Sequence, residues 1–285
     1  MRLPCWSVSV RRSSSRPVTL LVGAGRMGRA LLNGWVARGI GPIAVAEPFP
    51  CAELKSFARQ HKILLIDSVD GTFGVSARAC VVAVKPQVLR NEAGRLRPIA
   101  ESGALMVSIA AGTSIAAMRK AWGRRAHIVR AMPNLPGAVG RGIAALYAPS
   151  GTSEPLRETA QSLLAGLGDT LWVGREELID VVTAVSGSGP AYVFLFAECL
   201  AKAARAQGLS PKVAERLARS TIMGAGALLE VDRRDPSALR RDVTSPGGTT
   251  EAALAVLMRN DALARLTVDA VAAARTRATK LRDEF

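Results

Sequence analysis

The sequence predicts an α/β protein, with a doubly wound parallel sheet in residues 18–175 and an all-helical segment in residues 176–285. Short apolar, β-branched runs alternate with helical patterns along the first stretch, as a parallel sheet with crossover helices requires. Past about residue 175 those runs stop, and helical patterns rich in Ala, Leu and Val continue to the end. The glycine spacing Gly23-Ala24-Gly25-Arg26-Met27-Gly28 follows the first run and opens a helix, which narrows the kind of sheet.

Val18-Thr19-Leu20-Leu21-Val22 is apolar almost throughout, as a strand covered on both faces must be. The glycines after it let the backbone approach a pyrophosphate, whose charge rests on the N–H groups of the next helix. That helix runs from Arg26 to Arg38, with Leu31, Leu32, Trp35 and Val36 on one face and Gly39 as its stop. Ile43–Ala46 is the second strand. Glu47 ends it, roughly 20 residues past the glycines, where an acid takes the ribose hydroxyls of a dinucleotide. Strand, glycines, helix, strand and acid in this order indicate a dinucleotide-binding domain. Val22, Gly23, Ala24, Gly25, Arg26, Met27, Gly28 and Glu47 are its first candidate cofactor residues.

A helix over Glu53–Gln60 and a short run Ile63-Leu64-Leu65 come next. Strands follow at Cys80–Val84, Leu105–Ile109, Ile128–Arg130, Gly142–Tyr147 and Thr170–Val173. Ligands collect beyond the C-terminal ends of such strands. Small residues and prolines at those ends let a flat ring approach the backbone, so Ala83, Val84, Lys85, Pro86, Ala110, Ala111, Gly112 and Asn134 join the cofactor set. The later helices are read at Pro190–Gln207, Ser210 to about Glu230, Pro236–Arg241, Thr250–Met258 and Asp261–Asp283. They carry more apolar surface than a monomer need expose, and burial against a second subunit is the natural solution.

A second anion-binding signature lies at Val243–Thr250. A Ser-Pro turn leads into Gly247-Gly248 and Thr249-Thr250, which open an apolar helix. Glycine N–H groups and a helix N-terminus supply donors for a small carboxylate. Ser245, Gly247, Gly248, Thr249 and Thr250 are therefore the candidate substrate-binding residues. Taken alone, the same residues read as a glycine-rich turn with a threonine N-cap.

Composition excludes several classes. The net charge of +15 is spread along the chain and aromatics make up 4%, so it reads as a solvated basic surface rather than a nucleic-acid interface. Only His61 and His127 exist, neither near another good ligand, so no metal site is expected. The four cysteines are scattered without a CxxC pair, which fits reduced thiols and a cytoplasmic location. The uncharged stretches Ser102–Met118 and Val181–Ala197 are broken by glycines and serines, so no membrane span is expected. Residues 1–17 carry Arg2, Arg11, Arg12 and Arg16, no acid and three consecutive serines. They form a basic extension with the composition of a targeting segment, a disordered tail or an upstream start, and stand outside the fold.

Together these segments resemble the pyrroline-5-carboxylate reductase family, from about Val18 to Leu281. The resemblance rests on Val22–Gly28, Ala83–Gln87, Val107–Gly112, Arg130–Asn134, Ser186-Gly187-Ser188-Gly189-Pro190-Ala191-Tyr192-Val193-Phe194 and Ser245–Thr250. It implies an N-terminal Rossmann-like domain and an all-helical C-terminal dimerisation domain, with homodimers that assemble into pentamers of dimers. It implies NADPH or NADH as cofactor and reduction of 1-pyrroline-5-carboxylate to L-proline, the last step of proline synthesis. By resemblance the substrate carboxylate sits on the N–H groups around Ser245 and Gly247–Thr250, with Thr250 as the catalytic hydroxyl beside the ring nitrogen. Lys85, Pro86 and Ala110–Gly112 line the nicotinamide side, and L-proline fits the same site as an inhibitor.

Two departures stand out. Leu135 occupies the place of a threonine in the family's Asn-Thr-Pro, removing a hydroxyl. A family asparagine near the adenosine appears here as Val69 or Asp70. With Glu47, two acids oppose a 2′-phosphate and tilt preference toward NADH, while Arg26 and Arg29 restore phosphate affinity. Among alternatives, β-hydroxyacid reductases of related scaffold place a lysine in a Gly-rich helix start, yet no lysine follows Ser186–Pro190 before Lys202. A non-catalytic nucleotide- or nucleic-acid-binding protein leaves the Ser245–Thr250 turn unexplained.

Overall fold

A computed structural model describes residues 17–68 and 76–284. Val69 and Asp70 lie outside the described residues, as does the basic extension up to Arg16. The chain forms two compact units. The first ends at Asp180 and takes the chain back from Thr279; the second is Val181–Ala278.

The first unit is built on an eight-stranded sheet of β1 (Val18–Val22), β2 (Ile43–Ala46), β3 (Leu64–Ile66), β4 (Ala77–Val82), β5 (Leu105–Ser108), β6 (His127–Met132), β7 (Gly142–Tyr147) and β8 (Gly168–Trp172). Their order is β3-β2-β1-β4-β5-β6-β7-β8. All pairs from β3 to β6 are parallel, with Leu20 beside both Ala44 and Cys80. The chain order reverses between β1 and β4, and a crevice opens there at the strands' C-terminal ends.

Strand residues alternate between two cores, because successive side chains point to opposite faces. Leu21, Val45, Val81, Val107 and Val129 pack with Leu31, Leu32 and Trp35 of α1 (Arg26–Ala37), with α2 (Ala52–Gln60) and α6 (Glu154–Leu164) covering the same face. Leu20, Ala44, Cys80, Met106 and Ile128 pack on the other face. There they meet α3 (Pro86–Glu92), α4 (Arg97–Glu101) and α5 (Ile115–Trp122). Among the described residues each face holds one buried tryptophan with its N–H satisfied: Trp35 Nε1 donates to Leu163 O at 2.7 Å and Trp122 Nε1 to Ala93 O at 3.0 Å.

One pair departs from the parallel pattern. β7 runs antiparallel to β6, with Arg130 opposite Tyr147, and β8 is parallel to β7. The link over 133–141 holds only a 3₁₀ turn, Leu135–Val139. A parallel return needs a crossover of about a dozen residues or more, so this link folds back instead.

Where the chain passes from the first unit into the second, α7 (Leu178–Val182), a π-helical turn (Thr183–Gly187) and α8 (Gly189–Ala206) follow in succession. The sequence reading starts this helix only at Pro190, because Gly187, Gly189 and Pro190 disguise its beginning. The π turn absorbs them through local bonds: Ser186 and Ser188 hydroxyls donate to Val182 O and Thr183 O, each at 3.1 Å, and Tyr192 donates to Ala184 O at 3.0 Å. Then come α9 (Pro211–Val231), α10 (Pro236–Asp242), α11 (Thr249–Leu257) and α12 (Ala262–Asp283).

Little of this unit is buried. Helices α8, α10 and α11 bury no residue, and α9 only Ala214 and Ala218. Phe194, Phe196, Leu217, Met223, Leu228 and Leu266 are exposed. The stretch Leu178–Ala206 is long and apolar enough to cross a membrane by length and composition alone. Helices α9 and α12 share its exposed apolar character without passing that test, so the common property of these faces is that of a protein interface.

Candidate active site

The crevice starts at the turn between β1 and α1. Gly23 has φ +90°, a conformation that suits glycine, and a Cβ there would lie 2.7 Å from Val84 Cγ1. A Cβ on Gly28 would run into the carbonyl oxygen of Gly23. Gly25, by contrast, faces open space and serves as the N-cap of α1 without any side-chain hydrogen bond. No acid stands in the first turn. The N–H groups of Arg26 and Met27 therefore keep the positive end of the helix free for a phosphate.

Glu47 is half-buried at the end of β2. Its Oε2 accepts the Ala24 N–H at 2.8 Å and its Oε1 the Phe49 N–H at 3.2 Å. The carboxylate so ties the glycine turn to the loop after β2, and it keeps acceptor capacity beyond those two bonds. The crevice has a volume of about 490 Å³. Of the residues expected from the sequence, Val22, Gly23, Gly25, Glu47, Ala83, Val84 and Lys85 line it. Ala24, Arg26, Met27 and Gly28 belong to the same turn without lining it, and Pro86 occupies the first turn of α3.

Sequence reasoning missed Phe49, Asp67, Ser68, Val88 and Leu89, which line the crevice together with Ala46, Pro48, Glu92, Arg95 and Leu96. Asp67 and Ser68 follow β3, a strand too short and too exposed to signal strongly. Val88 and Leu89 had a usable signal, since Pro86 marks a helix start whose first turn faces the crevice. Asn134 does not line the crevice. Its Oδ1 accepts the Ile143 N–H at 2.9 Å and so anchors the start of β7.

Ala110, Ala111 and Gly112 follow β5, the strand beyond β4, and do not line the crevice either. Thr113, next in this loop, has a fully buried hydroxyl without a hydrogen-bond partner among the described residues.

In the second unit, Gly247 has φ +70° and Gly248 is the N-cap of α11. Thr249 and Thr250 are the first two helical residues, so Thr250 is not the cap. Two donors of the turn are engaged within the chain: Gly247 N–H bonds Glu251 Oε2 at 2.7 Å and Gly248 N–H bonds Ser245 O at 3.0 Å. The N–H groups and hydroxyls of Thr249 and Thr250 are left available. Glu251 also demonstrates that this turn accepts a carboxylate, and any incoming carboxylate at Gly247 must compete with it.

Other chemistry is absent among the described residues. No group of three His, Cys, Asp or Glu side chains is placed to hold a metal ion. Burial pushes the Cys80 thiol up to about 12, so it is no nucleophile near neutral pH.

A glycine cradle, an uncapped helix N-terminus and an acid at the end of β2 fit a dinucleotide. With the helical unit, they define the class of a two-unit dinucleotide-binding protein whose second unit presents exposed apolar helix faces. Comparison with known proteins supplies the family. Residues 176–281 match the family model for pyrroline-5-carboxylate reductase dimerisation, and residues 17–112 that for NADP oxidoreductase, coenzyme F420-dependent. The pyrroline-5-carboxylate reductase of Pseudomonas aeruginosa is 36% identical over 95% of this chain and 99% of its own length. A solved pyrroline-5-carboxylate reductase from Coxiella burnetii is 33% identical with a TM-score of 0.85, covering 93% of this chain and 98% of that one. A pyrroline carboxylate reductase from Plasmodium falciparum, solved with NADP bound, is 26% identical with a TM-score of 0.77 over 95% and 100%. The chain belongs to the pyrroline-5-carboxylate reductase family.

Proposed function

We propose that this protein reduces 1-pyrroline-5-carboxylate to L-proline with NADPH or NADH. The observation that carries the reading is similarity to a reductase of that name along 95% of the chain, both units included. Bound NAD(P)H supplies the hydride. The chain's own part is to bind, orient and exclude. The glycine turn and the N-terminus of α1 would hold the pyrophosphate, and Glu47 the ribose hydroxyls. Lys85, Pro86 and Ala110–Gly112 would hold the nicotinamide end of the bound cofactor. Ser245 and Gly247–Thr250 take the substrate carboxylate, with the N–H groups of Thr249 and Thr250 as free donors and Glu251 yielding at Gly247.

The Thr250 hydroxyl orients the ring nitrogen, and a water delivers the proton. A protonated imine is already a strong electrophile, so a positioned hydroxyl suffices where a hydrolase would need a histidine. Orientation of this kind supplies roughly 7–11 kcal/mol of a barrier. The protein acts as a cytoplasmic homodimer, assembled further into pentamers of dimers, and L-proline inhibits by occupying the carboxylate site.

The test is the loss of nicotinamide absorbance with NADH and with NADPH, each with and without 1-pyrroline-5-carboxylate. Rapid substrate-dependent loss is expected. Folded, oligomeric protein without turnover on either cofactor rejects the reaction. Tight, salt-sensitive binding to DNA in its place favours the basic surface as the functional one.

A further inference from the structure

Away from the crevice, the described residues of the first unit bury a cluster of charges. Arg130 on β6 is 1% exposed and Asp180 2%. Arg130 Nη2 donates to Asp180 Oδ1 at 3.0 Å, and Nη1 to Glu176 Oε1 at 3.2 Å. The second oxygen of Asp180 accepts from Arg282 Nη1 at 2.8 Å and from the Thr279 hydroxyl at 3.4 Å. Charges taken this far out of water are costly, and each here has several partners. Their positions along the chain are telling. The chain leaves the first unit after Asp180 and returns at Thr279, so one carboxylate ties the departing segment to the returning one.

Both segments also touch the loop between β5 and α5. Leu281 lies against Gly112: a Cβ on Gly112 would be 3.1 Å from the Leu281 carbonyl carbon and 3.2 Å from its oxygen. Glu176 Oε1, which Arg130 holds, accepts the Ile115 N–H at 2.7 Å at the start of α5. Inside the loop there is little to hold it. The Thr113 hydroxyl has no partner among the described residues, and the Ala110 N–H reaches Ser108 Oγ only at 3.3 Å. Its form is set from outside: Val82 O accepts the Ile109 N–H at 3.1 Å where the loop begins, Leu281 packs at Gly112, and Glu176 holds Ile115 where it ends.

We propose that Arg282, acting through Asp180 and Arg130, is a positioning residue that holds the Ala110–Gly112 loop and with it the nicotinamide end of the cofactor. This rests on the reading of that loop given under the proposed function. The sheet order supports the link: a dinucleotide with its ribose at Glu47 on β2 and its pyrophosphate at α1 extends over β4 toward β5. Cofactor affinity resides at the glycine turn and the crevice, so the latch governs alignment more than binding.

Hydrogen exchange on the full-length, cofactor-free protein tests the latch apart from catalysis. Arg282→Ala is expected to speed exchange over residues 109–115 by about tenfold or more, with residues 25–28 unchanged, while Arg282→Lys restores most of the protection. In turnover, kcat falls roughly 10- to 100-fold and the KM for the cofactor moves by less than about twofold. Unchanged exchange at 109–115 in folded Arg282→Ala protein overturns the proposal. So does a loss of activity seen only in KM or only in the fraction of folded protein. Should Arg282→Ala fail to fold, Thr279→Val removes one contact to Asp180 and is expected to raise exchange at the same residues. Wild-type protein without turnover rejects the reaction instead, and the exchange result then decides the latch by itself.

Discussion

Thr250 stands second in α11, and its hydroxyl makes no hydrogen bond among the described residues, while the N–H groups of Gly247 and Gly248 beside it are engaged. A hydroxyl that orients the reacting nitrogen acts while the substrate reacts, so its loss appears in kcat rather than in cofactor binding. Thr250→Ala is expected to lower kcat about 100-fold and to leave the cofactor Kd within about twofold. Steady-state kinetics beside a fluorescence titration measure the two, and equal losses in both dispose of the role. At this scale much was legible. Gly23 and Gly28 are demanded by a positive φ and by a carbonyl that no Cβ tolerates, so residue type alone betrays them. The bond from Gly247 N–H to Glu251 was not legible, because the same Glu251 in a slightly different turn would face water.

Helix α1 depends on glycine at its packed face as well as at its start. A Cβ on Gly34 would lie 2.7 Å from both Cα and O of Gly166, in the 3₁₀ turn Ala165–Leu167. Backbone cannot yield there as a flexible side chain would. Gly34→Ala is therefore expected to cost about 1–3 kcal/mol, seen as a lower urea midpoint with an unchanged m-value. Gly174→Ala, where a Cβ meets nothing within 4 Å, is the control that should leave the midpoint in place. Elements were easier to find in the sequence than to bound. The strand expected at Cys80–Val84 runs Ala77–Val82, since Ala77 and Ala79 are buried strand residues that carry almost no strand propensity. The helix that begins at Leu178 was hidden by the glycines and proline around its π turn.

For the whole molecule, the contrast between the two units is the main physical fact. The first has a two-faced core closed by Trp35 and Trp122; the second exposes Phe194, Phe196, Leu217 and Leu228 and buries almost nothing. Apolar surface on that scale does not remain in water. Sedimentation velocity at micromolar protein is expected to show dimers or larger closed assemblies and no folded monomer. A soluble, folded monomer under those conditions would contradict the interface reading of α8, α9 and α12.

Local sequence is enough to specify the glycine turn, the strands beside it, the acid at the end of β2 and the helical character of the second unit. Each follows from a local demand, whether a φ value, a covered face or an open N–H, that only certain residues at a certain spacing can meet. Tertiary structure alone decided the reversal of β7, the placing of Glu251 on Gly247 and the anchoring role of Asn134. It also decided that the last turn of α12 leaves its own unit and joins Arg130 and Asp180. Those features depend on how long a link is or on where segments far apart in the chain come to meet. No local pattern of residues encodes such a meeting, because its energy belongs to the pair and not to either partner.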